Sequence, residues 1–536
     1  MAESMIDKLH DSVLKYPEAN ACRMGKQTWT YAQLWHDIEE MASNLNASFP
    51  PTTKHVALVL PNTYQAVVSI YALNYLGLVA VMIHPMSSTH NLLKRLNQAD
   101  CDVWITMDIL YQRYQNIDIP IPCIILPLSD SLTGYKKTLI KIKNRPIKGP
   151  HILALNKTSN LNPKNIRQTN PMALILFSSG SNSEHKAICL SNSNLNSLVD
   201  QMKECINPIP TKESMLAILP FFHGFGLGVG LHTPLCLGGT AILVPRFSSQ
   251  NFTKAILKYQ PTYIIGVPQL YHQLFKTKAF INQDLSFLKQ AFVGGETIDQ
   301  SLVDTFNKIA SQNNSLAKLQ IGYGLTETVT ACSVTDQNET IPNTVGKAFK
   351  GNTIKIYDQS SNWFCKANEL GEILVSGPTI MMGYYNDPEA TKNTLKTHNR
   401  VVYVHTGDMG LMDELGNLSF AYRQSEIIKI NGYLVNLHEI ETIISQHFNI
   451  NEVKAVAFSN KSIGVLCSVK DQTIIRRTKK EITSRMLSHI DLWSLPDKIV
   501  LVKQLPKNET GKIDSQIIRQ YFIDRQFPLF LLEWSL

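Results

Sequence analysis

The chain has 536 residues, of which 44% are hydrophobic and 18% are charged, and this balance excludes an intrinsically disordered protein. Such a length exceeds what one compact core can hold, so two or more domains are expected. The formal net charge of +8, spread over 51 basic and 43 acidic residues, favours a mixed solvated surface over a nucleic-acid-binding patch.

Nine cysteines are scattered singly along the chain, without a CxxC pair. This spacing argues against a disulfide framework or a zinc site and favours a reducing compartment. Residues 1–15 contain Glu3, Asp7 and Asp11 and lack an apolar core, so they are not predicted to form a secretory signal. The sequence therefore predicts a cytoplasmic protein.

Residues 66–83 form an uncharged stretch that is long enough to be tested as a membrane span. The stretch contains Ser69, Asn74 and Gly77. A buried helix that ends near Gly77 and is followed by a buried strand explains this pattern better than a membrane helix. No transmembrane segment is therefore predicted.

Short β-rich runs alternate with helical stretches through most of the chain. Strands are predicted at residues 55–60, 102–106, 123–126, 172–177, 187–190, 262–267 and 291–293. This repetition predicts an α/β fold in which helices cover parallel sheets. Residues 136–171 are rich in Lys, Asn and Pro and are predicted to form a surface excursion. Short strands and turns follow from Gly371, and a smaller unit of mixed strands and helices follows from Gln424.

A loop of small and polar residues lies between the predicted strands at 172–177 and 187–190. It contains Ser178, Ser179, Gly180 and Ser181 and ends at Lys186. Small residues allow the backbone to curve around an anion, and the lysine adds a positive charge. The loop leads into a strand, so it is not a Walker loop. Taken alone, such a loop is more often an ordinary hairpin turn.

Two further motifs contain groups suited to a nucleotide. In the run from Tyr323 through Gly324 to Thr326 and Glu327, the ring offers a flat face for a base and the carboxylate can bind Mg²⁺. Thr326 can alternatively cap a helix. Asp408, in a Thr-Gly-Asp turn, can bind both hydroxyls of a ribose, as acidic residues do in other nucleotide folds, or be a turn aspartate.

The last candidates lie near the C-terminal end of the chain. Arg423, Lys429 and Gly432 lie in one run, and Lys512 lies on a loop that follows Pro506 and contains Gly511. A lysine on such a loop is usually solvated, but a mobile domain can also bring it to a substrate.

The ordered set of motifs resembles the adenylate-forming superfamily of acyl-CoA synthetases, luciferases and peptide-synthetase adenylation domains, and is most similar to its acyl- and aryl-CoA ligase branch. The resemblance extends from residues 27–31 to Asp514 and is weak at 100–165. It implies a large N-terminal domain at 1–422 with a small β subdomain, a hinge at 423–425, a small mobile α+β domain at 426–525 and an apolar tail at 526–536. Intermediate markers also fit, at residues 219–226, 294–296, 345–347, 371–373 and 383–386.

The resemblance implies that ATP and a carboxylic acid form an acyl-adenylate and pyrophosphate, and that a thiol then displaces AMP. Phosphate binding is expected at Ser178, Ser179, Gly180, Ser181 and Lys186; adenine binding at Gly294, Gly295, Glu296, Tyr323 and Gly324; and ribose binding at Asp408 and Arg423. Thr326 is expected to contact the α-phosphate, Glu327 to bind Mg²⁺ and Lys512 to neutralise charge at the reacting oxygens. Ser425 is the expected hinge residue, with Lys429 and Gly432 on the face used for the thiol.

Three positions of the phosphate loop depart from the family pattern. Ser183, His185 and Ala187 stand where the family usually has glycine, proline and glycine. Ala187 would not tolerate a positive φ. Two alternatives therefore stay open: the enzyme uses ATP less efficiently, or the chain is a catalytically silent homologue that binds nucleotide or acyl ligand. Tyr422 and Leu434 are further departures, but none of these positions removes a charged catalytic group.

The substrate pocket is expected at Phe222, His223, Phe225, Gly226, Gly322, Val345 and Gly346, with His223 as a gate or a core histidine. Residues 221–230 contain no carboxylate to pair an α-ammonium, so a fatty or aryl acid is predicted rather than an α-amino acid. Coenzyme A and the phosphopantetheine of an acyl carrier protein are both open as acceptors. The acid's chain length and the oligomeric state are open too.

Overall fold

A computed structural model describes residues 3–115, 117–128, 147, 149, 151–156, 168–178, 186–296, 298–339, 341–424, 427–430, 433–447, 450–459, 462–468, 486, 494–508, 512–527 and 530–535. The chain divides into two compact units. The first comprises Met1–Ser178, Lys186–Thr406 and Leu411–Phe420, and the second comprises Ser179–His185, Gly407–Gly410 and Ala421–Leu536. The predicted excursion at 136–171 lies mostly outside the described residues.

The helices begin and end as follows, in chain order. They are α1 (Met5–Lys15), α2 (Tyr31–Ser48), α3 (Tyr64–Tyr75), α4 (Thr89–Gln98), α5 (Asp108–Tyr111), α6 (Asn192–Ile206), a π-helix (Phe225–His232), α7 (Thr233–Cys236), α8 (Ser249–Tyr259), α9 (Pro268–Leu274), α10 (Lys278–Ile281), α11 (Gln300–Gln312), a 3₁₀ turn (Thr326–Thr328), α12 (Pro388–Thr394), α13 (Leu437–His447) and α14 (Ser515–Asp524).

The strands up to residue 348 are β1 (Asn20–Met24), β2 (Gln27–Thr30), β3 (His55–Val59), β4 (Val79–Met82), β5 (Val103–Met107), β6 (Cys123–Leu126), β7 (Ile152–Leu153), β8 (Met172–Phe177), β9 (Ala187–Ser191), β10 (Ser214–Ala217), β11 (Thr240–Leu243), β12 (Tyr263–Gly266), β13 (Gln290–Gly294), β14 (Leu319–Tyr323), β15 (Ser333–Val334) and β16 (Lys347–Ala348). The later strands are β17 (Thr353–Asp358), β18 (Trp363–Phe364), β19 (Gly371–Ser376), β20 (Gly383–Tyr384), β21 (Leu395–His398), β22 (Val401–Met412), β23 (Leu418–Arg423), β24 (Ile427–Ile430), β25 (Tyr433–Asn436), β26 (Glu452–Ser459), β27 (Ser462–Ser468), β28 (Lys498–Val502) and β29 (Phe530–Ser535).

Two large sheets organise the first unit within the described residues. One has the strand order β16-β15-β14-β13-β12-β10-β11-β1-β2, and the other has the order β20-β9-β8-β4-β3-β5-β6-β7. Their central strands run parallel, because helices connect successive strands and must cross over the sheet. The predicted α/β fold with helix-covered sheets is confirmed.

The stretch at 66–83 folds as the sequence predicts. Helix α3 is buried along its whole length, and strand β4 begins at Val79, two residues after Gly77. Within the described ranges, none of the helices combines the length and the apolarity that a membrane crossing requires.

Side chains at the helix starts explain where α2 and α6 begin. The hydroxyl of Thr30 accepts a hydrogen bond from the backbone of Gln33, and Ser191 does the same for Asn194. In both cases the third helical residue returns a hydrogen bond to the cap backbone, which completes a capping box. Each box stabilises its helix start by about 1 kcal/mol.

A smaller sheet has the strand order β18-β17-β19-β22-β21, with β23 paired to β22. In the second unit, β24 pairs with β25, and β26-β27-β28-β29 form a second sheet. Strand β29 lies in the segment expected to be an apolar tail, and it runs antiparallel to β28. All nine cysteines are free thiols.

Candidate functional site

The ends of the predicted phosphate loop are held together by two hydrogen bonds in the first unit. The backbone N–H of Ser178 donates to the carbonyl of Lys186 at 3.0 Å, and the backbone N–H of Lys186 donates to Oγ of Ser178 at 3.0 Å. These bonds continue the antiparallel pairing of β8 and β9. The prediction of a hairpin loop that leads into a strand is confirmed, while Ser179, Gly180, Ser181, Ser183 and His185 lie outside the described residues.

Ala187 is the first residue of β9 and is buried. It is not among the residues with positive φ. The alanine that replaces a family glycine is therefore unstrained here, and this departure places no conformational penalty on the loop end.

Glu327 lies in a short 3₁₀ turn that follows β14. Its Oε1 accepts a 2.8 Å hydrogen bond from the hydroxyl of Tyr384, and its carbonyl accepts a 2.8 Å hydrogen bond from the backbone of Met381. The turn is capped at Leu325, so Thr326 is its first residue and the alternative interpretation of Thr326 as a helix cap is wrong. Carboxylate oxygens are ligands that bind Mg²⁺ in proteins, so Glu327 fits this metal.

Tyr384 also contacts the predicted phosphate-binding lysine. The ammonium Nζ of Lys186 lies 4.5 Å from the centroid of the Tyr384 ring, within the range of a cation–π interaction. Burial and the neighbouring Glu327 carboxylate raise the pKa of the Tyr384 hydroxyl above its usual value, so the hydroxyl stays protonated as a donor. Sequence reasoning used Tyr384 only as a family marker and missed this contact.

The residues predicted for adenine lie at the carboxyl ends of two adjacent parallel strands. Gly294 pairs in register with Gly322, at the ends of β13 and β14, and Gly295 and Glu296 follow Gly294. Such an edge is where ligands bind in α/β sheets. The ring of Tyr323 is mostly buried and lies 6.2 Å from that of Phe420, and Gly324 connects β14 to the Glu327 turn.

Four of the predicted acyl-pocket residues lie in or just before a π-helix, a form that often occurs at functional sites. Phe222 packs between two histidines, with ring centroids 4.5 Å from His84 and 4.6 Å from His223. His84 was missed because it lies 138 positions before Phe222, at the end of β4. The ring of Phe225, which begins the π-helix with Gly226, would lie 3.8 Å from a Cβ placed on Gly294.

Of the three other predicted pocket residues, Gly322 lies on β14, and Val345 and Gly346 lie beside β23. The backbone of Val345 donates a 2.7 Å hydrogen bond to the carbonyl of Leu418, and Gly346 accepts one from the backbone of Leu418 at 2.8 Å. These bonds fix the position of the segment before β16. They belong to the first unit, like the π-helix.

The predicted ribose-binding pair is formed inside the second unit. Nε of Arg423 donates to Oδ1 of Asp408 at 2.6 Å, and Nη2 donates to Oδ2 at 3.2 Å. The Asp408 side chain is 3% exposed and that of Arg423 is 47% exposed. This bidentate geometry fixes the carboxylate, and the pairing follows from the adjacent strands β22 and β23.

Lys512 is hydrogen-bonded to Asn508 in the second unit. Its backbone N–H donates to Oδ1 of Asn508 at 3.0 Å, and its carbonyl accepts from the Asn508 backbone at 2.8 Å. Asp514 then caps α14 through the backbones of Gln516 and Ile517. The side chain of Lys429, on β24, and all of Ser425 and Gly432 lie outside the described residues.

Comparisons with known proteins show which family this chain resembles. The family model for AMP-binding enzymes matches residues 9–385, and the model for the AMP-binding enzyme C-terminal domain matches residues 439–512. The chain is 27% identical over 533 residues to a long-chain-fatty-acid–CoA ligase of Bacillus subtilis (strain 168). This alignment covers 94% of this chain and 92% of the relative. It is 30% identical over 357 residues to luciferin 4-monooxygenase of Luciola mingrelica, covering 65% of this chain and 63% of that one.

A solved structure shares the fold at lower identity. It is o-succinylbenzoate coenzyme A synthetase from Bacillus subtilis in complex with ATP and magnesium ion, with a TM-score of 0.76, 21% identity, and coverage of 95% of this chain and 98% of that chain. The AMP-binding enzyme model, which matches residues 9–385, spans more than half of the chain. The chain therefore belongs to the AMP-binding enzyme family, as an adenylate-forming ligase of the acyl-CoA synthetase type.

Proposed function

We propose that this enzyme activates an apolar carboxylic acid, fatty or aryl, as an acyl-adenylate and transfers the acyl group to a thiol. The observation that carries the proposal is the contact of both Lys186 and Glu327 with Tyr384. A cation suited to phosphate and a carboxylate suited to Mg²⁺ thereby contact one side chain, and both kinds of group take part in binding a polyphosphate.

ATP is the proposed second substrate. Lys186 and the loop residues Ser178, Ser179, Gly180 and Ser181 hold the β- and γ-phosphates, and Thr326 contacts the α-phosphate. Glu327 holds Mg²⁺, which when bound neutralises phosphate charge. Gly294, Gly295, Glu296, Tyr323 and Gly324 frame the adenine.

Asp408 and Arg423 bind the ribose hydroxyls, and the prearranged carboxylate supports this role. Lys512 neutralises the negative charge that develops as the acid's oxygen attacks the α-phosphate and pyrophosphate leaves. The P–O bond to the acid forms as the P–O bond to pyrophosphate breaks, so the acid oxygen replaces the leaving group in line.

The acid is proposed to lack an α-amino group. Residues 221–230 contain no carboxylate that could pair with an ammonium, and burying an unpaired ammonium is costly. Phe222 and Phe225 instead offer aromatic rings, which suit an apolar tail. The relative in Bacillus subtilis, named a long-chain-fatty-acid–CoA ligase, supports the same class of acid.

The acceptor is proposed to be coenzyme A, because the relatives named as CoA ligases align along nearly the whole chain. Lys429 and Gly432 are the proposed acceptor face. The thiolate displaces AMP from the acyl carbon, which forms the thioester. A carrier protein's phosphopantetheine presents the same thiol, so it is the second acceptor to test.

ATP–pyrophosphate exchange with a panel of acids tests the first half of this proposal. We expect exchange with saturated fatty acids or aryl acids and none with α-amino acids. Exchange with no acid, in a protein that still binds ATP, would mean a silent homologue and would overturn the proposal. Adding coenzyme A or a phosphopantetheinylated carrier protein to the active acid then identifies the acceptor by the thioester formed.

A further inference from the structure

Tyr384 lies between two groups of the proposed ATP site. Its hydroxyl donates to Oε1 of Glu327 at 2.8 Å, and its ring faces Nζ of Lys186, 4.5 Å from the centroid. One side chain therefore contacts both the carboxylate proposed for Mg²⁺ and the lysine proposed for phosphate. The two contacts use chemically different parts of the tyrosine, the hydroxyl and the π face.

The backbone around Tyr384 is fixed to the same two elements. Strand β20 pairs antiparallel with β9, so that Tyr384 opposes Ile188, two residues after Lys186. Three residues before Tyr384, the backbone of Met381 donates to the carbonyl of Glu327 at 2.8 Å. The segment 381–384 therefore joins the end of the phosphate loop to the Glu327 turn.

A short helix holds the tyrosine from its other side. The backbone N–H of Tyr384 donates to Oγ1 of Thr391 at 2.9 Å, and Thr391 lies on α12, which Asp387 caps. The hydroxyl of Thr394 on the same helix donates to the Tyr384 hydroxyl at 3.5 Å. Tyr384 is 7% exposed, so this position is set by packing rather than by solvent.

We propose that Tyr384 is a positioning residue that orients Glu327 for Mg²⁺ and Lys186 for the phosphates of ATP. This inference rests on the proposed function and extends it to a residue that does not itself contact the reacting atoms. The hydroxyl occupies one carboxylate oxygen and so restricts the Glu327 rotamer, which leaves the second oxygen for the metal. The ring limits the directions that the Lys186 ammonium can adopt.

Two substitutions separate the two contacts. Tyr384→Phe keeps the ring beneath Lys186 and removes the hydrogen bond to Glu327, whereas Tyr384→Leu removes both. Tyr385→Phe is the matched control, because it removes a neighbouring tyrosine hydroxyl that instead donates to Asp100 at 3.2 Å. Thermal midpoints of all variants show whether any of them fails to fold.

The readout is the dissociation constant of ATP measured by calorimetry on the full chain, once with Mg²⁺ and once with EDTA. Tyr384→Phe should weaken binding about tenfold with Mg²⁺, the typical effect of losing a hydrogen bond to a charged group, and leave binding in EDTA unchanged. Tyr384→Leu should weaken binding in both conditions, by about threefold in EDTA because the cation–π contact is lost. Tyr385→Phe should match the wild type in both.

A double-mutant cycle adds a second check on the Glu327 contact. In a Glu327→Gln background, Tyr384→Phe should have no further Mg²⁺-dependent effect, because the partner carboxylate is already gone. If Tyr384→Phe weakened ATP binding equally with Mg²⁺ and with EDTA, the tyrosine would have a structural role only, and the inference would be overturned. Wild-type ATP affinity of Tyr384→Phe in both conditions would overturn it as well. If the wild type itself bound no ATP, the proposed function would fall with it, and that result is distinct from the other two.

Discussion

Arg423 donates two hydrogen bonds to Asp408, from Nε to Oδ1 at 2.6 Å and from Nη2 to Oδ2 at 3.2 Å. The carboxylate is almost fully buried, whereas the arginine is about half exposed. Because a carboxylate has several lone pairs, an Asp408 fixed in this way still has acceptor capacity for ribose hydroxyls. The orientation of Asp408 thus depends on the planar fork of Arg423.

Replacing this arginine by lysine keeps the charge and removes the bidentate geometry. Arg423→Lys should lower kcat/KM for ATP in the exchange reaction by about tenfold, since charge-assisted hydrogen bonds contribute about 1.5–3 kcal/mol. Arg519→Lys, on an exposed position of α14, is the control and should match the wild type. An unchanged kcat/KM in Arg423→Lys would show that the pair has no role in ATP use.

Gly224 and Val329 approach each other so closely that only glycine fits at position 224. A Cβ there would lie 1.6 Å from the carbonyl oxygen of Val329. Val329 directly follows the Glu327 turn and has a backbone φ of 64°. A buried β-branched residue at positive φ is strained, so this backbone has little freedom to shift. We expect Gly224→Ala to destabilise the protein by about 1–3 kcal/mol or more and to reduce exchange, measured by thermal unfolding and by the exchange assay.

Gly322 provides the matched control for that variant. A Cβ at this position would meet its nearest atom, the carbonyl oxygen of Ser333, at 3.8 Å, which is ordinary contact. Gly322→Ala should therefore change stability by no more than about 0.5 kcal/mol. Because Gly322 is a proposed pocket residue, the added methyl group should shift the variant's preference towards smaller acids. An unfolded Gly322→Ala, or a stable Gly224→Ala, would contradict this account of the two glycines.

His232, at the end of the π-helix, is held neutral in the core. Its Nε2 lies 3.0 Å from Oδ1 of Asn196 and its Nδ1 lies 2.8 Å from the Tyr71 hydroxyl. Because Asn196 donates its amide to the carbonyl of Glu3, its Oδ1 accepts, and this assigns the proton to Nε2. Burial, together with Lys8, lowers the pKa of His232 to about 3.

This lowered pKa predicts acid sensitivity with a definite sign. The pKa of this histidine is near 6.5 in the unfolded chain and about 3 in the folded protein. Between pH 6.5 and pH 3 the unfolded chain therefore binds a proton at position 232 that the folded protein does not bind. The free energy of unfolding decreases as the pH falls through this range. The decrease from this group approaches about 1.4 kcal/mol per pH unit. Thermal midpoints measured from pH 7 to pH 5 should fall less steeply in His232→Gln than in the wild type. The same slope in both proteins would contradict the prediction, and exposed His36→Gln serves as control.

Local sequence patterns predicted the elements that form from nearby residues. The run at 66–83 became α3 and β4 because its apolar residues and Gly77 indicate a buried helix and strand. The hairpin around Lys186 followed from two apolar runs separated by small residues. The family motifs then identified Glu327 and Asp408 as candidates, although no periodicity in the sequence indicates their roles.

Contacts made by distant segments were not predictable in the same way. The approach of Tyr384 to Glu327 depends on the antiparallel pairing of β20 with β9, which local propensity does not encode. The packing of His84 against Phe222 likewise depends on the end of β4 lying next to the π-helix. The pairing of Arg423 with Asp408 required knowledge that β22 and β23 are adjacent strands.

The most direct test of the central claim is the identity of the products. The wild-type protein is incubated with ATP, Mg²⁺, coenzyme A and the acid that supports exchange, and the nucleotides and thioester are measured by mass spectrometry. We predict AMP and thioester in equal amounts, with Lys512→Ala losing most of both while still binding ATP. Formation of ADP instead of AMP, or no AMP above the level of Lys512→Ala, would contradict the account.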